Sequence, residues 1–377
     1  MKGFLIVGAI ILVCVSGVLA TRAFRRGQAK RAQILPSTGI RKDTAERPNA
    51  WRRQPVPLEK SADIIVFGND ELTVIAGTGT ILTSRNDGET WEVLSTGQGD
   101  LRITTDGGAT YTEVRRDSSI IKANDLCNVE SAVIGPSSRL YLKSVCEHTA
   151  QIWSVPIKST SEPWHVVSFT YESDPSNGVF GPGSDFIIAG DKVFIEGSTP
   201  SGAAILTSED NGSSWKPFWK ASFFGAGLSA FDFLDQNTGW ILLSDGELRR
   251  TSDGGRSWAT ISTLPHELVE RVYSLKFTNM SKAFVVGSEG LILTTSDGGI
   301  TWQRQDSRVS FNLYKVSAAD PRHAWATGNS SVVLETFDGG TTWETVKLDI
   351  KDHIFHKLSI KNGEAFVCSD KSIFRSF

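Results

Sequence analysis

The residues best equipped to do chemistry recur together in one repeated octapeptide. Thr295-Ser296-Asp297-Gly298-Gly299-Ile300-Thr301-Trp302 returns as Thr336-Phe337-Asp338-Gly339-Gly340-Thr341-Thr342-Trp343, as Thr251-Ser252-Asp253-Gly254-Gly255-Arg256-Ser257-Trp258 and as Ser208-Glu209-Asp210-Asn211-Gly212-Ser213-Ser214-Trp215. Looser copies end at Trp91 and at Tyr111, the second with Asp106 in the acidic place. A carboxylate beside hydroxyls could act as a general base. The same aspartate in every copy points to a scaffold instead. Its carboxylate can accept N–H bonds inside its own turn, glycine supplies the positive φ of a hairpin, and the ring anchors the turn by packing beneath it.

Other chemistry is sparse. No Gly-rich phosphate loop and no Cys/His set with zinc spacing occurs, so neither a cofactor nor a metal is expected. His353 and His356 lie three apart, but His356 aligns with Tyr273 and Tyr314 at an ordinary strand position. In the strand before each box, one position reads Leu82, Leu206, Leu293, Leu334 and Phe374, but Arg102 and Arg249 in two units. Such an arginine is either a functional cation at a blade cleft or a side chain whose stem packs while its head reaches water.

The elements that position these residues are short strands. Apolar runs at 272–277, 283–287 and 291–294 precede a box, and a fourth strand starts at Trp302. The four boxes from Ser208 onward stand 43, 44 and 41 residues apart, the length of one four-stranded propeller blade. The expected fold is an all-β propeller of seven four-stranded antiparallel blades over residues 51–377. Residues 372–376 resemble a strand leading into a box, after which the chain stops; a spare strand stands near Trp51. Pairing of those two ends is expected to close the ring.

The charge is uneven. Lys2 is the one charge of residues 1–20, whereas residues 21–50 carry eight Lys/Arg against Asp43 and Glu46. With a total of −3, residues 51–377 therefore hold −10, which argues against nucleic acid as a partner of the body. The apolar run 3–20 reads as a signal peptide or a signal anchor. Residues 21–50 read as a basic flexible linker. Cys127 and Cys146 fall opposite each other in a hairpin if Ile134 faces Arg139, a placement compatible with a disulfide. Signal and cysteines together place the body outside the cytoplasm, in a periplasm, lumen or secreted, with residues 3–20 available as a membrane anchor.

These boxes resemble the Asp-box, or bacterial neuraminidase, repeat. The form Thr-x-Asp-Gly-Gly-x-Thr-Trp is similar to that of propellers related to the photosystem II stability and assembly factor. The resemblance implies a non-catalytic binding or assembly platform with a protein partner, membrane proteins included. The alternative it raises is a sialidase-like glycoside hydrolase or glycan-binding propeller, which needs three converging arginines and a tyrosine–glutamate pair. Tyrosines stand at 111, 141, 171, 273 and 314, but no Arg-Ile-Pro string appears early in the body.

One inter-blade connection is unusually aromatic: Lys216-Pro217-Phe218-Trp219-Lys220-Ala221-Ser222-Phe223-Phe224. Phe218 matches an apolar strand slot. Trp219, Phe223 and Phe224, beside Lys220, either plug the mouth of the central channel or contact a partner. With Arg102 and Arg249 they are the expected partner-binding set.

Overall fold

The computed structural model describes residues 186–329 apart from 200–201 and 222–226. It also describes 332–346, 348 and 357–376 with gaps at 362 and 370–371, and, before residue 186, Ala32 and the paired strands. The chain is an all-β propeller. Each sheet is a meander in chain order. Strands Ala62–Phe67, Leu72–Ala76, Thr80–Ser84 and Glu92–Thr96 make the first. The next comprises Asn128–Gly135, Arg139–Cys146, Thr149–Pro156 and His165–Thr170, followed by Ile187–Ala189, Lys192–Thr199, Gly202–Ser208 and Lys216–Lys220. Then come Leu228–Phe233, Gly239–Leu243, Glu247–Thr251 and Ala259–Thr263; Val272–Phe277, Ala283–Gly287, Ile292–Thr295 and Thr301–Arg304; and Leu313–Ala318, Ala324–Gly328, Val333–Thr336 and Glu344–Thr345.

The last sheet has Lys357–Lys361, Glu364–Ser369 and Ser372–Arg375 from the C-terminus. Its outer strand, Arg52–Pro55, comes from the N-terminal side and runs antiparallel, Arg52 facing Arg375 and Gln54 facing Ile373. The expected closure of the ring is therefore present. First strands of successive sheets stand side by side: Leu228–Phe233 beside Val272–Phe277, that beside Leu313–Ala318, then Lys357–Lys361, Ala62–Phe67 and Asn128–Gly135. They surround the axis, and the fourth strands form the rim.

The expectation of seven uniform four-stranded blades is corrected in two places. The sheet at 272–304 has five strands, because Gln33–Leu35 adds to it in parallel. Those three residues fall in the segment read as a flexible linker, 21–50, and they are strand. Leu101–Ile103 and Thr112–Val114 form only a two-stranded hairpin, so the copy with Asp106 and Tyr111 does not belong to a full blade of its own. The apolar run 3–20 lies outside the described residues.

The cysteine hairpin departs from expectation at its turn alone. Arg139 faces Gly135, not Ile134, but the register slips by one between Lys143 and Ser144. Ser144 then faces Val129 and Val145 faces Asn128, the register on which the Cys127–Cys146 placement rests. A β-bulge of this kind changes which residues oppose each other beyond it. Cys127 lies outside the described residues.

Stacked aromatics and apolar clusters fasten neighbouring blades. Trp240 lies on Phe277 with ring centroids 3.8 Å apart and 7° between planes. Phe194 lies on Phe233 in the same way at 4.1 Å. All four side chains are buried, and each stacked pair adds to its area burial.

Candidate functional site

The described boxes carry four aspartates whose carboxyls are held below their ordinary range. In each described box the first hydroxyl donates to the aspartate, and the aspartate accepts from the backbone N–H of the residue four further on. Thr251 Oγ1 lies 2.9 Å from Asp253 Oδ1, and the Ser257 N–H donates to the same oxygen at 2.9 Å. Asp297 and Asp338 are closed by Thr301 and Thr342 likewise, and Asp210 by Ser214. The hydroxyl of the first residue also accepts a backbone N–H, Gly255 to Thr251 at 2.8 Å and Gly340 to Thr336 at 2.8 Å. Every lone pair of these aspartates that bonds here is used for turn closure. They are scaffold.

Each box also grips the preceding blade. Trp302 packs in a buried cluster with Leu248, Trp240 and Leu264, and its Nε1 donates to Gly299 O at 3.1 Å. Trp343 packs with Phe284, Trp258 against Phe218 and Phe233, and Trp215 against Tyr141 and Phe186. A donor from the preceding blade meets a box carbonyl at three of the four described boxes: Ser154 Oγ to Asn211 O, Ser262 Oγ to Gly299 O, Lys282 Nζ to Gly339 O. Asp106 and Trp91 lie outside the described residues.

These bonds set the acid response. The Ser257 hydroxyl and backbone N–H, with Thr251, draw the Asp253 carboxyl down to about 2. At Asp210, Asp297 and Asp338 burial opposes ionisation, but the bonds from Ser214, Thr301 and Thr342 outweigh it and hold the carboxyls below their ordinary range. A depressed folded value means stability that is complete above the unfolded value and lost as pH falls through the folded one. Urea midpoints are therefore expected to hold steady above about pH 5 and to decline from about pH 4 to about pH 2. Asp253→Asn should make that decline shallower; an unchanged slope would remove the box from the acid response.

Lys282 titrates in the opposite window. Its burial beneath Phe284 lowers it to about 8, against the attraction of Asp338. Folded protein then binds fewer protons than unfolded protein between about pH 8 and 10.5, so this group makes stability rise with pH there. The difference in unfolding midpoint between Lys282→Met and the parent should shrink as acidity falls or grow in favour of the parent across that interval. A pH-independent difference would show that the ammonium is not desolvated.

The mouth of the channel presents a different chemistry, built where an inter-blade connection enters an inner strand. Tyr273 and Tyr314 are each the unpaired residue of a bulge at the start of such a strand. Their ring centroids are 5.5 Å apart. Phe311 and Tyr314 are 43% and 38% exposed and belong to the few large apolar side chains in the open among the described residues. The backbone beneath them is pinned: Gly290 N–H donates to Phe311 O at 2.7 Å, Asn329 N–H to Asn312 O at 2.9 Å, and Glu289 N–H to Asn312 Oδ1 at 3.2 Å. Arg271 flanks the pair, its Nη2 2.8 Å from Glu289 Oε2 and 3.1 Å from Ser288 O. Glu289 itself sits at φ 53° and is largely exposed. The result is a fixed aromatic patch with a charged border.

The expected partner-binding residues fare unevenly. Trp219 is half-buried and packs on the cluster of Phe194, Ile205 and Phe233, together with Phe218. A bulge explains this: Ile205 faces Trp219 while Leu206 faces Pro217, so Phe218 is unpaired and both rings reach the core. Trp219 thus stands at the edge of the core, whereas Lys220 is exposed at the strand end. Phe223 and Phe224 lie outside the described residues, as does the side chain of Arg102. Arg249 is half-exposed, and its Nε lies 2.7 Å from Glu247 Oε2 on the same strand. The sequence reading missed Phe311. Its signal was available, an aromatic in the connection between two blades.

Arg249, Arg271 and Arg375 each meet a glutamate of their own blade, Glu247, Glu289 and Glu364. Among the described residues no group of His, Cys, Asp and Glu could hold a metal ion, and no helix is long and apolar enough to cross a membrane.

Fold and boxes define the class: an Asp-box β-propeller. Residues 302–375 match the family model described as photosynthesis system II assembly factor YCF48. Among solved structures, YCF48 bound to D1 peptide is 14% identical, with a TM-score of 0.57 over 88% of this chain and 96% of that one. YCF48 from Cyanidioschyzon merolae is 16% identical, TM-score 0.57, over 87% and 98%. The WD40 β-propeller domain of Doa1 is 11% identical, TM-score 0.53, over 87% and 97%. No curated protein matches the sequence. The chain resembles a photosystem II assembly-factor-like propeller, and the likeness to the solved structures is one of fold.

Proposed function

We propose that this propeller is a non-catalytic assembly platform that docks a segment of a partner protein across the channel mouth at Phe311, Tyr314 and Tyr273. The observation that carries the reading is the pinned, exposed aromatic patch. A monomer gains nothing in stability from rings held in water, whereas a partner gains rigid contact area at low entropic cost. A YCF48 structure bound to a D1 peptide has the same fold, which supports a polypeptide ligand. Arginines already neutralised by glutamates of their own blades favour binding over sialidase-like hydrolysis. On this reading the apolar run 3–20 delivers the body outside the cytoplasm or holds it at a membrane, near a membrane-protein partner.

The test compares recovery of partners from solubilised membranes by the parent and by a Phe311→Ala, Tyr314→Ala double variant. Loss of two exposed hot-spot rings should lower recovery of a specific protein at least about tenfold, with the melting temperature unchanged. Equal recovery by the double variant would refute the mouth as the docking surface. Turnover of a fluorogenic sialoside would refute the non-catalytic reading.

A further inference from the structure

Rim strands of a meander have one bare edge, and the edge of Thr301–Arg304 is filled from elsewhere in the chain. Gln33 lies beside Thr301, Ile34 beside Trp302 and Leu35 beside Gln303, in parallel. Every other strand pair among the described residues is antiparallel. The same segment bonds to the preceding blade: Ala32 N–H donates to Thr263 O, at the end of the neighbouring rim strand, at 2.7 Å. Ala32 is 5% exposed and, with Ile34, belongs to the cluster of Leu248, Leu264, Val269 and Trp302. Gln33, between them, faces water. Four residues therefore hold both walls of one seam.

The seam selects what it holds. Ala32 is buried in the cluster that also holds Leu264 and Val269, which leaves its side chain almost no water contact. Ile34, two residues on, points to the same side, as strand periodicity requires. An extended peptide with a small residue followed two positions later by an apolar one fits, and its backbone satisfies an edge that would otherwise face solvent. The next fastened strand, Arg52–Pro55, sits on the 357–375 sheet. Two rim anchors of the N-terminal chain thus lie on either side of the 313–345 blade.

We propose that the seam between the 228–263 and 272–304 blades is a strand-docking site whose resident ligand is the protein's own segment 32–35, acting as a latch on the ring. The test uses the full chain with Ala32→Glu and Ile34→Asp together, and a synthetic peptide of residues 31–36, Arg-Ala-Gln-Ile-Leu-Pro. Amides of 301–304 should exchange at least about tenfold faster in the variant, and melting should fall by about 2–4 °C. Adding the peptide should restore protection at those amides alone, and a peptide with aspartate for isoleucine should not. The milder Ile34→Ala variant should fall between. Unchanged exchange at 301–304 in the double variant overturns the latch; so does failure of the peptide to protect them while exchange at 333–336 remains that of the parent.

Discussion

Gly328→Ala is expected to cost about 2–4 kcal/mol of folding stability, although it adds one methyl group. A Cβ at Gly328 would lie 1.9 Å from Asn312 O and 2.9 Å from the Asn312 carbonyl carbon, both backbone atoms that have no rotamer to yield. Gly287 repeats the arrangement one blade earlier, 1.7 Å from Arg271 O. The glycine closes each second strand where the incoming connection crosses it before the bulge at Leu313 or Val272. Its backbone is not left-handed there, so the requirement is space and not φ. The extra atom must push the connection outward and break the bond from Asn329 N–H to Asn312 O. Because that connection carries Phe311 and Tyr314, partner binding should fall with stability. Urea unfolding followed by tryptophan fluorescence measures the first, membrane pull-down the second. A variant within about 0.5 kcal/mol of the parent would mean that the connection is free to move.

What could be read in the sequence follows from how local each device is. A box closes on itself within eight residues, so its Asp253 or Asp297 is fixed by neighbours in the chain, and its spelling recurs. The turn after each inner strand is nearly as local, but it was not recognised. Asp235 accepts from the N–H groups of Asn237 and Thr238, Asn279 from Ser281 and Lys282, and Asp320 from Arg322 and His323. The carbonyls of Asn237, Ser281 and Arg322 then accept from Gly254, Gly298 and Gly339 of the box in the same blade. These Asx turns keep the spacing of the boxes, yet only one residue type in four is held, too little to stand out. Fasteners between blades were not legible at all. Ser154 and Lys282 reach the fourth carbonyl of a box and Ser262 the fifth, because any donor of the right reach will do.

The candidate site divides along the same line. Tyr273 and Tyr314 could be aligned as strand positions, but nothing in their spacing says that a bulge turns them toward the mouth. The aromatic stretch at 216–224 was conspicuous for composition, and composition does not say which way Trp219 turns. A single bulge at Phe218 turns two successive rings inward, which alternation along an ideal strand does not foresee. Ala32–Leu35 is too short to show any period, and its partner strand lies most of a chain away.

Asp232 carries the second large expectation. It is the one described aspartate with a side chain almost wholly buried, and it bridges two blades. Phe277 N–H donates to its Oδ2 at 2.7 Å and Lys276 Nζ to its Oδ1 at 3.0 Å, both from the next inner strand. Trp240, which faces Asp232 across the sheet, is the ring that stacks on Phe277, so one seam rests on both contacts. Asp232→Ala removes the acceptor and leaves a buried amide N–H and a half-exposed ammonium without it. An abandoned buried donor costs about 1–3 kcal/mol. The charge adds less than the 3–5 kcal/mol of a fully buried pair, because Lys276 can turn to water. The expected total is about 3 kcal/mol. Asp232→Asn, which keeps an acceptor for Phe277 but not the charge, should recover more than half of it. Lys276→Met should cost more than Asp232→Asn, since it leaves a buried carboxylate with its backbone bond but no counter-ion. Chemical denaturation of the three variants gives the order directly. If Asp232→Asn proves as damaging as Asp232→Ala, the ion pair and not the backbone bond holds the seam.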